Sequence, residues 1–174
     1  MSNDRAFLRM LFDAAVAASK PAACMPLWLE DRPPGNVLVV GAGKAAASMA
    51  AILEQEWAAP LSGLVIVPYG HGADCDHIEV VEAAHPVPDK NGVAATRRIL
   101  DLVARLSADD TVVCLLSGGG SSLLCAPAPG VTLEQKIAAT TELLRSGMAI
   151  HEMNRARREL YAVKGGKLAA ACAP

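Results

Sequence analysis

The chain is most constrained where an apolar run, Thr111 to Leu116, empties directly into Ser117-Gly118-Gly119-Gly120-Ser121-Ser122. A short continuous run rich in β-branched residues predicts a parallel strand covered on both faces and central to its sheet. Three consecutive glycines free the backbone to turn sharply and to bring its N–H groups close to a ligand. A glycine triplet alone reads as a flexible turn. The flanking serines shift that reading to a polyanion cradle, because their hydroxyls add side-chain donors beside the backbone ones. A strand ending in such a loop is where open α/β sheets bind phosphates.

The rest of the chain supplies the other parts of such a sheet. Val37 to Val40 reads as a strand, followed by Gly41-Ala42-Gly43-Lys44 and a helix from about Ala45 to Trp57. Gly63 to Val67 is a second strand and Ile78 to Ala83 a third, whose Glu79 and Glu82 place it at an edge. Helical spacing covers Asn91 to Leu106. Thr132 caps a helix through Leu144, and further helical segments follow over Ile150 to Val163 and Lys167 to Cys172. Strand and helix alternate at βαβ length, which predicts a doubly wound, mostly parallel, Rossmann-like sheet with helices on both faces. Residues 1–36 are expected to pack on this 37–174 domain, through an amphipathic helix from Asp4 to Ser19 and a proline-rich lead-in anchored by Trp28. The last helix ends at Ala173-Pro174 with no polar tail, so a truncated chain with a further C-terminal domain is expected.

Composition narrows the partners. Sixteen Lys and Arg against 18 Asp and Glu give a formal net charge of -2, so no broad basic surface is available for nucleic acid. Small molecules or other subunits are the expected partners. Aromatic residues are only 3% of the chain while hydrophobic residues are 52%, which calls for a core of small aliphatic side chains. Five scattered cysteines without a CxxC pair fit reduced thiols. There is no long apolar run free of charge and no signal-peptide order at the start, so no membrane is expected and the cytoplasm is.

Three further constellations carry chemistry. Gly41-Ala42-Gly43-Lys44-Ala45-Ala46 satisfies the loose pattern GxGxx[GA] between strand and helix, but the second strand ends in Val67-Pro68-Tyr69 without the acidic residue that a dinucleotide ribose needs. The turn therefore reads as an anion site in which Lys44 offers a point charge. It is not a Walker loop, since Ala45 stands where Ser or Thr would hold magnesium. In His85-Pro86-Val87-Pro88-Asp89, two prolines fix an imidazole and a carboxylate; Asp89 also suits the cap of the following helix. Asn154, Arg157 and Arg158 share a helix face, and Lys164-Gly165-Gly166-Lys167 repeats the pairing of glycines with basic residues. A solvated face is the ordinary reading of such an arginine run, whereas a lysine-flanked glycine pair fits phosphate. His71, Cys75 and His77 fall short of a zinc signature, and no metal ligand is assigned.

Taken in order, Val39 to Ala46, His85 to Asp89, Ser117 to Leu124, then Gly147, Ile150, Glu152, Asn154, Arg157 and Lys164 to Ala169 resemble the glycerate 2-kinase family of serine-cycle and tartrate metabolism, which is also labelled hydroxypyruvate reductase. The resemblance runs from about Val37 to the end. It implies phosphorylation of D-glycerate to 2-phosphoglycerate with ATP and magnesium, in a cleft between this domain and a second one. It makes Lys44 the catalytic lysine and the Ser117, Gly118, Gly119, Gly120, Ser121 and Ser122 loop a holder of phosphate or substrate, together with Gly41, Gly43, Asn154, Arg157, Lys164, Gly165 and Gly166. Asp89 is a candidate to orient magnesium, to accept the glycerate hydroxyl proton, or to act structurally. Glu159 and Tyr161 depart from the family pattern, which has His and Ser there. Two other functions stand beside this one: an NAD(P)H-dependent hydroxypyruvate reductase, and a non-catalytic anion-binding domain; a missing C-terminal domain or a homo-oligomer is the expected protein partner.

Overall fold

The computed structural model describes residues 2–29, 31–57 and 61–173; Met1 and Pro174, used in the sequence reading, lie outside them. Four strands, β1 (Val37–Ala42), β2 (Ser62–Pro68), β3 (Ile78–Ala83) and β4 (Thr111–Leu116), form one sheet in the order β3-β2-β1-β4. All three pairings are parallel. The chain winds outward from β1 to β3, then returns to lay β4 on the other side of β1. That reversal puts a topological switch point between the C-terminal ends of β1 and β4, the place where open α/β sheets bind ligands.

Helices cover both faces. The N-terminal segment forms α1 (Ser2–Ala18) and α2 (Pro21–Cys24), and α3 (Ala46–Glu56) packs Ala47, Ala50 and Leu53 on Val37, Val39 and Val65. On the opposite face α4 (Lys90–Val103) lays Ala95, Ile99 and Val103 on Leu38, Val40 and Leu64. The next helices are α5 (Gly120–Leu123), α6 (Leu133–Arg145), α7 (Ile150–Glu159) and α8 (Lys167–Ala171). Thr132 accepts from the Gln135 N–H while the Gln135 side chain accepts from the Thr132 N–H, closing the cap expected for α6. The helix foreseen over Ile150 to Val163 stops at Glu159. Beyond it the backbone turns to pair with the segment after α5, through an antiparallel bridge between Pro127 and Tyr161.

The doubly wound parallel fold is as expected, with β3 at an edge and its Glu79 forked by Arg98 from α4. The prediction that β4 is central and covered is overturned. β1 is buried along its whole length, whereas β4 is an edge strand with Cys114 exposed and Leu116 58% exposed. An apolar run reports what a strand is suited to bury, and here no further strand among the described residues pairs with its outer edge. The expected role of Trp28 is likewise reversed, since it is 85% exposed. Contact between the lead-in and the domain is made by Met25 and Leu29 against the α3 face, while the apolar stripe of α1, including Phe7, Leu11 and Phe12, stays exposed.

Candidate active site

The two glycine turns meet at the switch point and are stitched to each other through the backbone. The Lys44 N–H donates to the Gly118 carbonyl at 2.8 Å, and the Ala45 N–H donates to Ser117 Oγ at 3.0 Å. In return the Ser117 N–H donates to the Ala42 carbonyl at 3.2 Å, and the Gly43 N–H reaches the Ile66 carbonyl at 3.0 Å. This leaves the Lys44 side chain, rather than its backbone N–H groups, as what the first turn can offer an anion. It also removes the donors that a dinucleotide pyrophosphate takes from such a turn.

The glycines consequently divide by role. A Cβ on Gly41 would stand 2.2 Å from the Leu115 carbonyl oxygen, one on Gly43 2.1 Å from Ser117 Oγ, and one on Gly120 2.6 Å from the Ala42 carbonyl oxygen. These three are glycine because β1 and β4 deliver their loops into direct contact. Gly118 is exposed with nothing within 4 Å of its Cβ position, so it is open to a ligand. Gly119, at φ +91, would meet His85 Nε2 at 2.9 Å and Lys44 Cγ at 3.6 Å. Lys44 and His85 therefore converge on the same residue of the loop, and the Lys44 side chain is exposed there. Ser122 turns inward and donates to the Gly119 carbonyl at 3.0 Å.

A second cation reaches the loop from the other end. Lys164 Nζ donates to the Ser121 carbonyl at 2.8 Å and to Ser121 Oγ. The same ammonium lies 3.6 Å from the centre of the Tyr161 ring, which Lys136 Nζ also approaches, at 4.2 Å. Tyr161 and Lys136 are each 1% exposed. Burial pushes the Lys164 ammonium down to about 8, with the Arg157 and Lys136 charges adding to the shift. Burial pushes the Tyr161 phenol up, but a hydrogen bond from Arg157 and the charges of Lys164, Lys136 and Arg157 outweigh it and leave the group below its ordinary value.

Asn154, Arg157, Gly165 and Gly166 join Lys164 around a cavity of about 620 Å³ between β4 and the α7–α8 segment. Its floor is apolar, with Val112, Leu116 and Leu168. Ser117 and Ser121 belong to both the loop and the cavity wall, whereas the Lys44 side chain approaches the loop at Gly119.

Asp89 is turned to another task. Its Oδ1 accepts from the Gly92 N–H at 2.9 Å, capping α4, and its Oδ2 accepts from the Tyr69 hydroxyl at 2.8 Å. Burial pushes its carboxyl up, and these hydrogen bonds more than reverse that, holding it below the usual carboxylate range. Lys136 was missed by the sequence reading. Its signal is a lysine three residues after Leu133 and four before Thr140, on the inward stripe of α6. Among the described residues no group of three or more His, Cys, Asp or Glu side chains is placed to hold a metal, and no helix is long and apolar enough to cross a membrane.

A family model described as a domain of unknown function, DUF4147, matches residues 7–174. The chain belongs to that family. Its curated relatives include a D-glycerate 2-kinase of Thermotoga maritima, 46% identical over 77% of this chain and 33% of the relative. A protein of Agrobacterium vitis that carries a hydroxypyruvate reductase name is 48% identical over 98% of this chain and 39% of the relative. A crystal structure of glycerate kinase from Thermotoga maritima superposes with a TM-score of 0.86 at 37% identity, covering 100% of this chain and 42% of that one. This DUF4147 chain thus spans about two fifths of the length of the relatives it matches.

Proposed function

We propose that the DUF4147 chain is the phosphate-handling part of a glycerate 2-kinase, which transfers the terminal phosphoryl group of ATP to the 2-hydroxyl of D-glycerate. The observation that carries this reading is the convergence of two lysines on one glycine loop, Lys44 at Gly119 and Lys164 at Ser121. Phosphoryl transfer needs positioning and charge stabilisation rather than a covalent nucleophile. In the step, a bond forms between the glycerate 2-hydroxyl oxygen and the γ-phosphorus while the bond from that phosphorus to the β–γ bridging oxygen breaks, ADP leaves with the bridging oxygen and its electron pair, and the hydroxyl proton passes to solvent water. Lys44 would meet the equatorial oxygens as negative charge shifts, and exposed Gly118 would let backbone approach them. Arg157, whose Nε is buried without a hydrogen-bond partner among the described residues, suits a phosphate or the glycerate carboxylate. Asp89 is assigned to the cap of α4 and the placement of the His85 corner rather than to proton transfer.

The cations and the open Gly118 fit a nucleotide triphosphate. The donor set assigns no residue to magnesium, which characteristically keeps much of its water and rides on substrate phosphates. The reductase reading loses its support at the first turn, where the N–H groups of Lys44 and Ala45 are already engaged by Gly118 and Ser117. We further read the open side of β4 as the side on which the remaining part of such a relative packs.

The test uses ATP with D-glycerate, and NADH with hydroxypyruvate, on this chain and on a longer protein containing it. Formation of 2-phosphoglycerate by the longer protein is expected, and its loss by at least about a hundredfold in Lys44→Ala with unchanged melting. NADH oxidation with no phosphorylation, or full kinase activity in the lysine variant, would overturn the proposal.

A further inference from the structure

Tyr161 occupies a place that neither the glycine loops nor the arginine run accounts for. It is buried, Lys164 Nζ and Lys136 Nζ of α6 lie 3.6 and 4.2 Å from the centre of its ring, and the Arg157 guanidinium of α7 is close enough to its hydroxyl to pull the phenol's pKa down. Three cations from three separate segments thus surround one aromatic ring. The ion pairs formed by the described residues are Arg9 with Asp13 and Arg98 with Glu79, so no carboxylate lies within salt-bridge distance of the three. Storing buried ammonium charge without a counter-ion is costly, and the usual solution is a paired carboxylate. A carboxylate, however, would take the lysine's hydrogen bonds and cancel its charge. An aromatic face attracts an ammonium by its quadrupole while leaving that charge unneutralised and its N–H groups free for other acceptors. Lys164 uses two of them on Ser121, inside the loop.

We propose that Tyr161 is a positioning residue: its ring, backed by Lys136, holds the Lys164 ammonium against Ser121 with its charge unspent, ready for an incoming phosphate. The proposal rests on the reading of the Ser117 to Ser122 loop as a phosphate site. The ring supplies the hold, and Arg157, whose charge reaches the phenol, lines the same cavity. Lys136 is the second cation on the ring, 4.2 Å from its centre, and its charge is part of the surroundings that Lys164 senses.

Two measurements on this chain separate the proposal from the reading beneath it. The first is the NMR signature of the Lys164 side chain in protein labelled with ¹³C-lysine, identified by its disappearance in Lys164→Arg. An ammonium-bearing methylene over a ring face is shifted upfield by the ring current. That shift is expected in the parent and in Tyr161→Phe, and it should vanish in Tyr161→Leu. The second is titration with inorganic phosphate and with ATP: affinity should stay within about twofold in Tyr161→Phe and fall about tenfold in Tyr161→Leu, the scale of one partly buried cation–π contact. A Lys164 signal in the parent that lacks the upfield shift overturns the proposal, as does a Tyr161→Leu variant that binds phosphate as the parent does. If Tyr161→Leu does not fold, Tyr161→Phe and Lys136→Met decide: loss of the shift in the phenylalanine variant, or unchanged Lys164 signals in Lys136→Met, overturns it. A parent that shows the shift but binds neither phosphate nor ATP supports the ring's hold on Lys164 and removes the phosphate-site reading.

Discussion

The junction between Gly43 and Ser117 and the stack of Lys136, Tyr161 and Lys164 serve the same loop by opposite means. The first is built from backbone: β1 and β4 run side by side and their turns exchange N–H and carbonyl groups at distances that exclude any Cβ. The second is built from side chains that come from α6, from the bridge after α7 and from the turn before α8. A backbone junction is unforgiving of substitution but indifferent to charge and pH. A side-chain stack tolerates changes of shape and responds to both.

The largest effect expected from this contrast is at Gly43. Its φ is +142, and a methyl group there would collide with Ser117 Oγ at 2.1 Å and the Ser117 carbonyl oxygen at 2.6 Å; the hydroxyl could swing away only by giving up the Ala45 N–H, and the backbone oxygen cannot move without parting the two strands. Gly43→Ala should destabilise the fold by about 3 kcal/mol or more. Gly118→Ala, one loop away with open space at its Cβ position, should stay within about 0.5 kcal/mol of the parent while weakening phosphate binding. Urea unfolding of the pair makes the comparison, and equal midpoints would break it.

A smaller effect is expected at Ser117, whose hydroxyl oxygen is the one side-chain member of the stitched junction. Ser117→Ala leaves the Ala45 N–H at the start of α3 without its 3.0 Å partner. The cost should be about 1 kcal/mol, as for a lost helix cap. Thermal melts and the exchange rate of the Ala45 amide measure it; an amide still protected in the variant would show that the hydroxyl is dispensable.

The same contrast explains what the sequence could tell. Glycines leave a local signature, so the turns at Gly41-Ala42-Gly43 and Ser117 to Ser122 and the parallel sheet around them were legible from spacing and punctuation. What spacing could not separate at Gly41, Gly43 and Gly120 is why they are glycine, because a close approach to another strand and a close approach to a ligand demand the same residue, and here the neighbouring backbone or Ser117 already demands it. β4 was misplaced for a related reason: Val112, Val113, Cys114, Leu115 and Leu116 state a preference for burial, but not whether anything covers them. Tyr161 was visible only as a departure from pattern. Lys136 was not visible as a site residue, because it joins Tyr161 only once α6 has packed and the chain beyond α7 has doubled back.

The smallest effect, and the one that most sharpens the contrast, is the pH response of the stack. Lys164 faces Ser121, Tyr161, Arg157 and Lys136, and its burial brings its pKa from the ordinary 10.5 to about 8. Below that value both folded and unfolded chains hold the proton, and the fold bears the full cost of a half-buried ammonium. Between about 8 and 10.5 the unfolded chain still binds a proton that the folded one has released, so this group makes stability rise with pH across that window. Tyr161 acts in the same direction, since its lowered phenol also leaves the folded state with fewer protons than the unfolded one. Solvent reaching the side chain screens the effect and keeps it modest. Lys164→Met removes the lysine's share and also the charge that helps lower the phenol. The stability of the parent relative to Lys164→Met should therefore climb as the pH is raised from 8 to 10, whatever constant offset the lost Ser121 contact introduces. Urea melts of both proteins at pH 7, 8, 9 and 10 read this directly. Parallel curves would show that Lys164 titrates in the folded protein as it does in water, and that its ammonium is not held in the buried position beside Tyr161.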